Sequence, residues 1–166
     1  MENHKRITTP DKNAFYKILI VKLEGILSSE SDWLANLANA GALLYANLDD
    51  LNWAGFYLYK NGELVLGPFQ GRTACTRIKM GKGVCGTAAQ TRVIQVVMDV
   101  HEFEGHIACD SASNSEIVVP IVYNDNIVGV LDIDSPLTNR FDSIDAQYLQ
   151  KFVDKLNKYI NWSLVS

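Results

Sequence analysis

Residues 115–135 read SEIVVPIVYNDNIVGVLDIDS, and this stretch decides the fold class. Two apolar runs, residues 117–123 and 127–133, flank Asn124-Asp125-Asn126, whose residue types favour a tight turn. The stretch therefore predicts an antiparallel β-hairpin. Both faces of each strand are apolar, so we expect helices or loops to cover both sides of the sheet that contains this hairpin.

A second hairpin is predicted upstream of the first. Residues 53–59 and 63–66 are strand-like and are separated by Lys60-Asn61-Gly62, a typical hairpin turn. The chain therefore contributes two pairs of antiparallel strands to one sheet.

Helices are predicted on both sides of these strands in the sequence. Apolar residues recur with helical spacing over residues 13–27 and over residues 32–47, where Ser28-Ser29 is the predicted start signal. Residues 141–160 carry one apolar stripe and predict a closing helix. Two helices, an antiparallel sheet and a closing helix describe an α+β fold.

Composition and charge restrict the class of protein. The 166 residues suit one domain, residues 1–166 with a core of about 13–160, and 48% apolar residues exclude disorder as the dominant state. A net charge of −4 removes the attraction on which nucleic-acid binding depends. The N-terminal residues lack the apolar stretch of a signal peptide, and no run is long enough to span a membrane. We therefore expect a soluble, cytoplasmic protein with reduced cysteines.

The middle of the chain, residues 67–115, is rich in glycine and irregular apart from a short helix predicted over residues 84–90. A compact domain keeps a long segment of this kind when it carries function. All three cysteines and two histidines lie here: Cys75, Cys85, Cys109, His101 and His106. Three cysteines cannot all pair within one chain, so reactive or buried thiols are favoured over a disulfide framework.

One candidate site in this segment is a glycine-rich loop. GKGVCG at residues 81–86 fits the dinucleotide-binding pattern G-x-G-x-x-G, with Asp99 at the distance of a ribose contact. The residues before it make a poor buried parallel strand, and no series of βαβ units follows. We therefore reject nucleotide binding and interpret the glycines as a tight turn into the short helix.

Three other chemistries remain open for the segment. Zinc binding would use His101, His106 and Cys109 with Cys75 or Cys85, although no spacing is that of a metal clip. A Cys–His hydrolase would use Cys109 as nucleophile and His106 or His101 as base. Thiol redox chemistry needs an attacking cysteine, a resolving cysteine and an external reductant, and it gives the clustered cysteines a shared role.

Three carboxylates converge at the open end of the 115–135 hairpin. A three-residue loop pairs Tyr123 with Ile127. This register places Glu116, Asp132 and Asp134 on one face, with Glu116 opposite Asp134, whereas a two-residue loop would move Glu116 to the other face. Neighbouring carboxylates repel one another unless a cation lies among them, so the cluster predicts a site for an ammonium group or a metal ion.

An aromatic wall is predicted beside the acidic cluster. Trp53, Gly55 and Tyr57 share one face of their strand because side chains alternate along a strand. Where this face meets the same cavity as the carboxylates, the pocket suits a small molecule with an ammonium group and a methyl or methylthio end.

Six segments of the chain form a distinctive set: NWAGFY at residues 52–57, LGPFQG at 66–71, GKGVCG at 81–86, HIACDS at 106–111, SEIVVP at 115–120 and GVLDIDS at 129–135. Together they resemble the GAF-domain free methionine-(R)-sulfoxide reductases, over about residues 15–159. Ligand-sensing GAF domains lack this trio of cysteines, so the resemblance is specific. It implies a GAF-like α+β fold with a central antiparallel sheet, two N-terminal helices and a C-terminal helix.

The resemblance implies the reduction of free, not peptide-bound, methionine-(R)-sulfoxide. Cys109 would be the attacking cysteine, Cys75 its resolving partner and Cys85 a further redox cysteine. Cys109 would become a sulfenic acid and then a disulfide with Cys75. Thioredoxin would be the external reductant, supplied by NADPH through thioredoxin reductase, and we expect no metal and no bound cofactor.

The resemblance also implies where the substrate binds. Trp53 and Tyr57 would wall the methyl-sulfoxide end, and the ammonium group would lie on three carboxylates, Glu116, Asp132 and Asp134. Glu116 or Asp134 is the expected proton donor, since neighbouring acids raise a carboxyl pKa. Backbone N–H groups of residues 111–115 are the expected site for the substrate carboxylate.

A homodimer and two alternative functions are also compatible with the sequence. GAF folds dimerise through exposed first helices, which by analogy makes a homodimer a candidate assembly. One rival is a ligand sensor without turnover, in which Cys109→Ser would leave ligand affinity intact. The other is a zinc protein.

Overall fold

The computed structural model describes residues 5–165, which form four α-helices and six strands. The helices are α1 (Lys12–Leu27), α2 (Trp33–Asn47), α3 (Gly83–Thr91) and α4 (Ser143–Tyr159). The strands are β1 (Trp53–Lys60), β2 (Glu63–Gly71), β3 (Arg77–Lys79), β4 (Gln95–Val97), β5 (Ser115–Tyr123) and β6 (Asn126–Ser135). Short 3₁₀ helices lie at Val100–Glu102 and Trp162–Leu164.

One antiparallel sheet with the strand order β3-β2-β1-β6-β5-β4 organises the fold. α1, α2 and α4 cover one face, through a core that includes Leu19, Leu37 and Phe152. α3 lies on the other face, where Cys85 packs in a second core with Val118 of β5. Both faces of the central strands are therefore covered, and the α+β prediction is confirmed.

Both N-terminal helices begin at an aspartate. Asp11 and Asp32 each accept a hydrogen bond from the backbone N–H three residues later, at 2.9 and 2.8 Å. Such caps satisfy N–H groups that have no partner in the first turn. The start signal predicted at Ser28-Ser29 is wrong, because Ser28 caps the end of α1. Within residues 5–165, no helix combines the length and the apolar character that crossing a membrane requires.

Two aspartates define the start of α4. Asp142 Oδ1 accepts a hydrogen bond from the Asp145 N–H at 3.0 Å, and Asp145 Oδ2 accepts one from the Asp142 N–H at 2.8 Å. The buried Asp145 carboxylate also accepts hydrogen bonds from the Tyr16 hydroxyl at 2.5 Å and the Lys12 ammonium at 2.7 Å. This capping box starts α4 later than the predicted range 141–160, and it ties α4 to α1.

Both hairpins turn in two residues rather than the predicted three. The turns are Asn61-Gly62, with φ of 51° and 89°, and Asn124-Asp125, with φ of 49° and 60°. Positive φ at both central residues matches the right-handed twist of paired strands, and Asn, Asp and Gly tolerate it. Lys60 and Asn126 consequently belong to the strands.

β2 extends well beyond its predicted end at residue 66. The β1–β2 register shifts where Gly67-Pro68 lies, and the strand resumes with Phe69 opposite Gly55. Glycine and proline are rare inside strands, so this bulge hides the strand pattern in the sequence. A side chain at Gly55 would collide with Phe69, which explains the glycine there.

A two-residue turn alone would shift the β5–β6 register by one residue and place Glu116 on the other face. A bulge in β6 restores the predicted register. The β5–β6 pairing shifts next to the turn, where Val128 is the extra residue. Glu116 therefore lies opposite Asp134, and Asp132 lies on the same face, as the sequence predicted. The predicted loop length was wrong and the predicted register is confirmed, because the bulge adds the residue that the loop lacks.

The middle segment contains more structure than its sequence predicts. β3 and β4 were not predicted, because three-residue edge strands are too short to show a period. α3 covers one residue more at each end than the predicted 84–90. Gly81 and Gly83 have φ of 75° and 60°, and a side chain at Gly86 would collide with the Lys79 carbonyl. The interpretation of these glycines as a tight turn into a helix is confirmed.

Candidate functional site

A pocket opens between α3, the β5–β6 strands and the segment before β5. Its walls include seven residues that the sequence placed in the site: Trp53, Tyr57, Cys85, Cys109, Glu116, Asp132 and Asp134. The cavity has a volume of about 30 Å³, which is room for about two water molecules. Cys75 reaches the pocket through its bond to Cys109.

Three carboxylates form one end of the pocket. Glu116 on β5 and Asp132 on β6 are each 6% exposed, and Asp134 is partly exposed. Removal from water raises the pKa of all three well above the usual range, and repulsion between the carboxylates adds to the shift. Ionised carboxyl groups in such a cluster can bind a cation. A protonated one can supply a proton at a pH where a surface carboxyl would already have lost it.

We expect this cluster to destabilise the folded protein at high pH. A carboxyl whose pKa is higher in the folded than in the unfolded state binds its proton more tightly when folded. The free energy of unfolding then falls as the pH rises from the ordinary carboxyl pKa through the raised one. Asp132→Asn removes one ionisation with little change of shape, and it should raise the melting temperature at about pH 8.

The expected rise is about 2–4 °C for each kcal/mol of relieved repulsion. At about pH 3 the difference between variant and wild type should largely disappear, because an ordinary carboxyl pKa of about 3.9 leaves the wild-type carboxyl mostly protonated in both states. Calorimetric melting curves at the two pH values measure this. An equal shift at both would show that ionisation of Asp132 is not the cause.

Cys85 on α3 faces the carboxylates. Its Sγ lies 3.8 Å from Glu116 Oε1, within reach of a weak S–H donor, and the side chain is 4% exposed. Burial raises the pKa of this thiol well above its usual range, and the nearby Asp132 and Glu116 carboxylates add to the shift. Cys85 is a free cysteine in this structure and is not brought into a pair with Cys75 or Cys109.

Cys75 and Cys109 form a disulfide between two irregular segments. Their Cα atoms lie 5.3 Å apart, although 34 positions separate them in the sequence. Cys75 follows β2, whereas Cys109 lies in the segment before β5 and forms part of the pocket wall. The disulfide therefore joins the two cysteines for which the resemblance implied attacking and resolving roles.

The aromatic wall also anchors the Cys75 segment. The Trp53 and Tyr57 rings stack with centroids 5.8 Å apart, and the Phe69 ring stacks on Trp53 at 5.2 Å. The Trp53 Nε1–H donates to the Arg72 carbonyl at 3.2 Å, and the Tyr57 hydroxyl donates to the Cys75 carbonyl at 2.9 Å. These hydrogen bonds thus hold the backbone of Cys75, which supplies one of the two disulfide sulfur atoms.

Asn52 holds the loop after Cys109. Its Nδ2 donates to Asp110 Oδ2 at 3.0 Å and to Ser113 Oγ at 2.9 Å. The N–H groups of Ala112, Ser113 and Asn114 all donate to acceptors within the protein, at 2.8–3.2 Å. These three of the five N–H groups expected to hold the substrate carboxylate are occupied in this structure, and the expectation for residues 111–115 stays a prediction.

The start of α3 supplies a different site for an anion. Lys82 is its N-cap and makes no side-chain capping hydrogen bond. Lys82, Gly83 and Val84 all line the pocket. Uncapped N–H groups at a helix N-terminus attract anions. The start of α3 is therefore a candidate site for an anion, and it lies within one helical turn of Cys85.

The two histidines of the middle segment occupy different environments. His106 lines the pocket with its Nε2 3.7 Å from Glu116 Oε2, and burial lowers the pKa of its imidazole. His101 is exposed and is hydrogen-bonded to an asparagine at 3.1 Å. The zinc set predicted from both histidines and Cys109 is therefore not assembled. Among the described residues, the side chains placed to share a metal ion are Cys85, Glu116 and Asp132.

Sequence reasoning assigned no role to three residues that shape the site. Phe69 lies outside the predicted strands, and Asn52 and Asp110 belong to segments in which other residues are the predicted site residues. For Asn52 and Asp110 the sequence signal is their position, because Asn52 precedes Trp53 and Asp110 follows Cys109. A polar residue next to a candidate site residue is a candidate for anchoring it.

Comparisons with known proteins show the family to which the chain belongs. A family model described as GAF domain matches residues 23–160. Protein YtsP of Bacillus subtilis (strain 168) is 54% identical over 157 residues, 93% of this chain and 96% of that protein. The free methionine-R-sulfoxide reductase of Escherichia coli (strain K12) is 52% identical over 150 residues, 90% of this chain and 91% of that protein.

A solved structure extends the comparison to three dimensions. The free methionine-R-sulfoxide reductase from Neisseria meningitidis, in complex with its substrate, superposes with a TM-score of 0.90 at 44% identity. The match covers 96% of this chain and 97% of that one. The chain therefore belongs to the GAF domain family and, within it, to the family of the free methionine-R-sulfoxide reductases.

Proposed function

We propose that this protein reduces free L-methionine-(R)-sulfoxide to methionine with its own thiols, and that thioredoxin regenerates these thiols in the cytoplasm. The observation that carries the proposal is a disulfide, Cys75–Cys109, at the edge of a pocket that ends in a carboxylate cluster. The names of the Escherichia coli and Neisseria meningitidis relatives support the same activity.

The pocket matches the chemistry of a free amino acid. The substrate ammonium group binds the Glu116 and Asp132 carboxylates, and the α-carboxylate binds at the start of α3. The methyl-sulfoxide end then lies toward Trp53 and Tyr57. A methionine sulfoxide within a peptide has no α-ammonium group, so it is excluded. The substrate reacts with the form that has open thiols, because the Cys109 sulfur must be a free thiolate to attack the sulfoxide.

The first step reduces the substrate and oxidises Cys109 by two electrons. The Cys109 thiolate forms a bond to the sulfoxide sulfur while an acid protonates the sulfoxide oxygen. The adduct then breaks down: the hydroxyl passes to the Cys109 sulfur, which becomes a sulfenic acid, and methionine leaves. Glu116 or Asp134 supplies the proton, because burial and the neighbouring carboxylates raise its pKa and so favour its protonated form.

The second step closes the disulfide and a third step resets the enzyme. The Cys75 sulfur attacks the sulfenic sulfur of Cys109 and water leaves. Thioredoxin then exchanges its dithiol for this disulfide, and NADPH reduces thioredoxin through thioredoxin reductase. The buried thiol of Cys85, with its raised pKa, forms little thiolate, so it is a poor candidate for resolving cysteine.

The deciding experiment is a coupled assay on the purified protein. Racemic free methionine sulfoxide is supplied with thioredoxin, thioredoxin reductase and NADPH, and NADPH oxidation is followed. The proposal expects consumption to stop near half of the racemate, and a peptide-bound sulfoxide to give no consumption. If NADPH is not consumed with the free sulfoxide, a ligand-sensing GAF domain becomes the better interpretation.

Loss of either clamp carboxylate should weaken substrate binding. We expect Glu116→Gln and Asp132→Asn to raise the KM for the free sulfoxide by about 10–100-fold, since a hydrogen bond to a charged group contributes about 1.5–3 kcal/mol. Steady-state kinetics in the coupled assay measure this. Glu63→Gln is the matched control, because Glu63 pairs with Arg77 outside the pocket. Wild-type KM values in both clamp variants would contradict the ammonium site.

A further inference from the structure

Three atoms that suit a transition-metal ion converge at the carboxylate end of the pocket. The Cys85 Sγ and one carboxylate oxygen each from Glu116 and Asp132 lie within 4.8 Å of one another, and all three side chains are buried. The Cys85 Sγ–Glu116 Oε1 distance is 3.8 Å. Ligand atoms around a tetrahedral ion with bonds of about 2.0–2.3 Å are about 3.3–3.8 Å apart. A single ion among these atoms therefore reaches them with small side-chain shifts.

Asp132 gives an independent sign that a cation belongs in the cluster. Its Oδ1 is buried and has no hydrogen-bond partner outside the cluster among residues 5–165; the side chains that reach this carboxyl group are those of Cys85 and Glu116, the other two members. A buried carboxylate oxygen without a partner is unfavourable, so it points to a ligand.

We propose that Cys85, Glu116 and Asp132 form a Zn²⁺ site. A sulfur ligand combined with carboxylate oxygens favours a borderline-soft divalent ion over Mg²⁺ or Ca²⁺. Binding breaks the S–H bond of Cys85 and forms an S–Zn bond, so one proton leaves to solvent and no electron is transferred. Three protein ligands leave one position for water. The proposal rests on this cluster and not on the proposed reaction.

The position of the site makes the bound ion an inhibitor. Zn²⁺ at these carboxylates occupies the place that the proposed function gives to the substrate ammonium group. In the disulfide form the Cys109 sulfur is bonded to Cys75 and cannot attack the sulfoxide. The disulfide form is therefore the form in which zinc binding is measured without turnover.

The test uses the disulfide form of the protein, in which Cys85 is a free cysteine while Cys75 and Cys109 are paired. Zn²⁺ alone is titrated calorimetrically in two buffers of different ionisation enthalpy. The proposal expects one Zn²⁺ per chain and the release of at least one proton. Co²⁺ in place of Zn²⁺ should give a thiolate-to-cobalt charge-transfer band in the near ultraviolet.

Variants separate this site from adventitious zinc binding. Cys85→Ser should weaken Zn²⁺ binding by more than about tenfold and abolish the cobalt band, because even residues that only support a metal ligand cost about 10–100-fold. His101→Ala is the control: it removes an exposed zinc-binding side chain outside the pocket and should leave both signals unchanged. If Cys85→Ser fails to fold, Asp132→Asn replaces it in the affinity measurement, with the same expected loss.

Two results would overturn the zinc site. One is equal affinity in wild type and Cys85→Ser, and the other is a wild-type protein without the cobalt band. Neither measurement involves turnover, so a failed zinc titration leaves the sulfoxide assay unaffected. A failed sulfoxide assay likewise leaves the zinc site standing.

Discussion

We expect Cys109→Ser to lower the turnover of free methionine sulfoxide by at least about 10³-fold. A serine hydroxyl is a far weaker nucleophile than a thiolate, and it cannot form the sulfenic acid on which the second step depends. The substitution replaces one atom in the pocket wall, so substrate binding should be largely kept. The coupled NADPH assay measures the loss, and a binding titration with the sulfoxide checks that the pocket is intact.

Cys75→Ser is the matched variant, because it changes the same atom at the other end of the disulfide. It keeps the attacking thiol, so it should form about one methionine per chain in a single turnover without reductant. Its steady-state turnover with thioredoxin should be lost, because no disulfide can form for thioredoxin to reduce. Full turnover by Cys109→Ser would contradict the proposed nucleophile. Full turnover by Cys75→Ser would transfer the resolving role to Cys85.

The second large effect is on stability. We expect Asp145→Ala to lower the free energy of unfolding by about 2–4 kcal/mol, the cost of a buried hydroxyl that loses its acceptor together with a weakened helix cap. The substitution leaves the Tyr16 hydroxyl without its acceptor and removes half of the capping box of α4. Lys12 keeps its hydrogen bond to Asp142, at 2.8 Å, so the attachment of α4 to α1 is weakened but not lost.

Urea denaturation followed by circular dichroism measures this loss. Asp154→Ala is the control on the same helix, because Asp154 is exposed and accepts one hydrogen bond, from Gln150, at 2.9 Å. A surface change of this kind should stay within about 0.5 kcal/mol of wild type. A change below about 1 kcal/mol in Asp145→Ala would show that Tyr16 finds another partner.

Local sequence signals predicted the elements that are long and regular. α1, α2 and α4 lie within a few residues of their predicted ranges. A helix with an apolar stripe is stable in water only when the stripe is buried, and here all three stripes pack against the sheet. The core strands were likewise visible as apolar runs. The three-residue strands β3 and β4 were missed, since so few residues show no period, and the end of β2 was hidden by Gly67-Pro68.

The carboxylate cluster shows how two local errors can cancel. The sequence predicted a three-residue turn that would put Glu116 on the face of Asp132 and Asp134. The chain instead uses a two-residue turn and inserts Val128 as a bulge, which returns the same register. The core under α1, α2 and α4 selects this register, because a shift of β5 or β6 by one residue would move its acidic residues into that core, where charged groups have no partners.

By itself, the sequence determined the α+β order of elements, the shared face of Asp132 and Asp134, and the shared face of Trp53 and Tyr57. These follow from periodicities of two and 3.6 residues, which act over a few neighbours. Only the tertiary structure decided that Glu116 joins the two aspartates, which cysteines meet and which cysteine stays buried. Cys75 and Cys109 meet across 34 positions, and Cys85 meets Glu116 across 31. Such contacts depend on how strands and helices pack, and no local pattern specifies that packing.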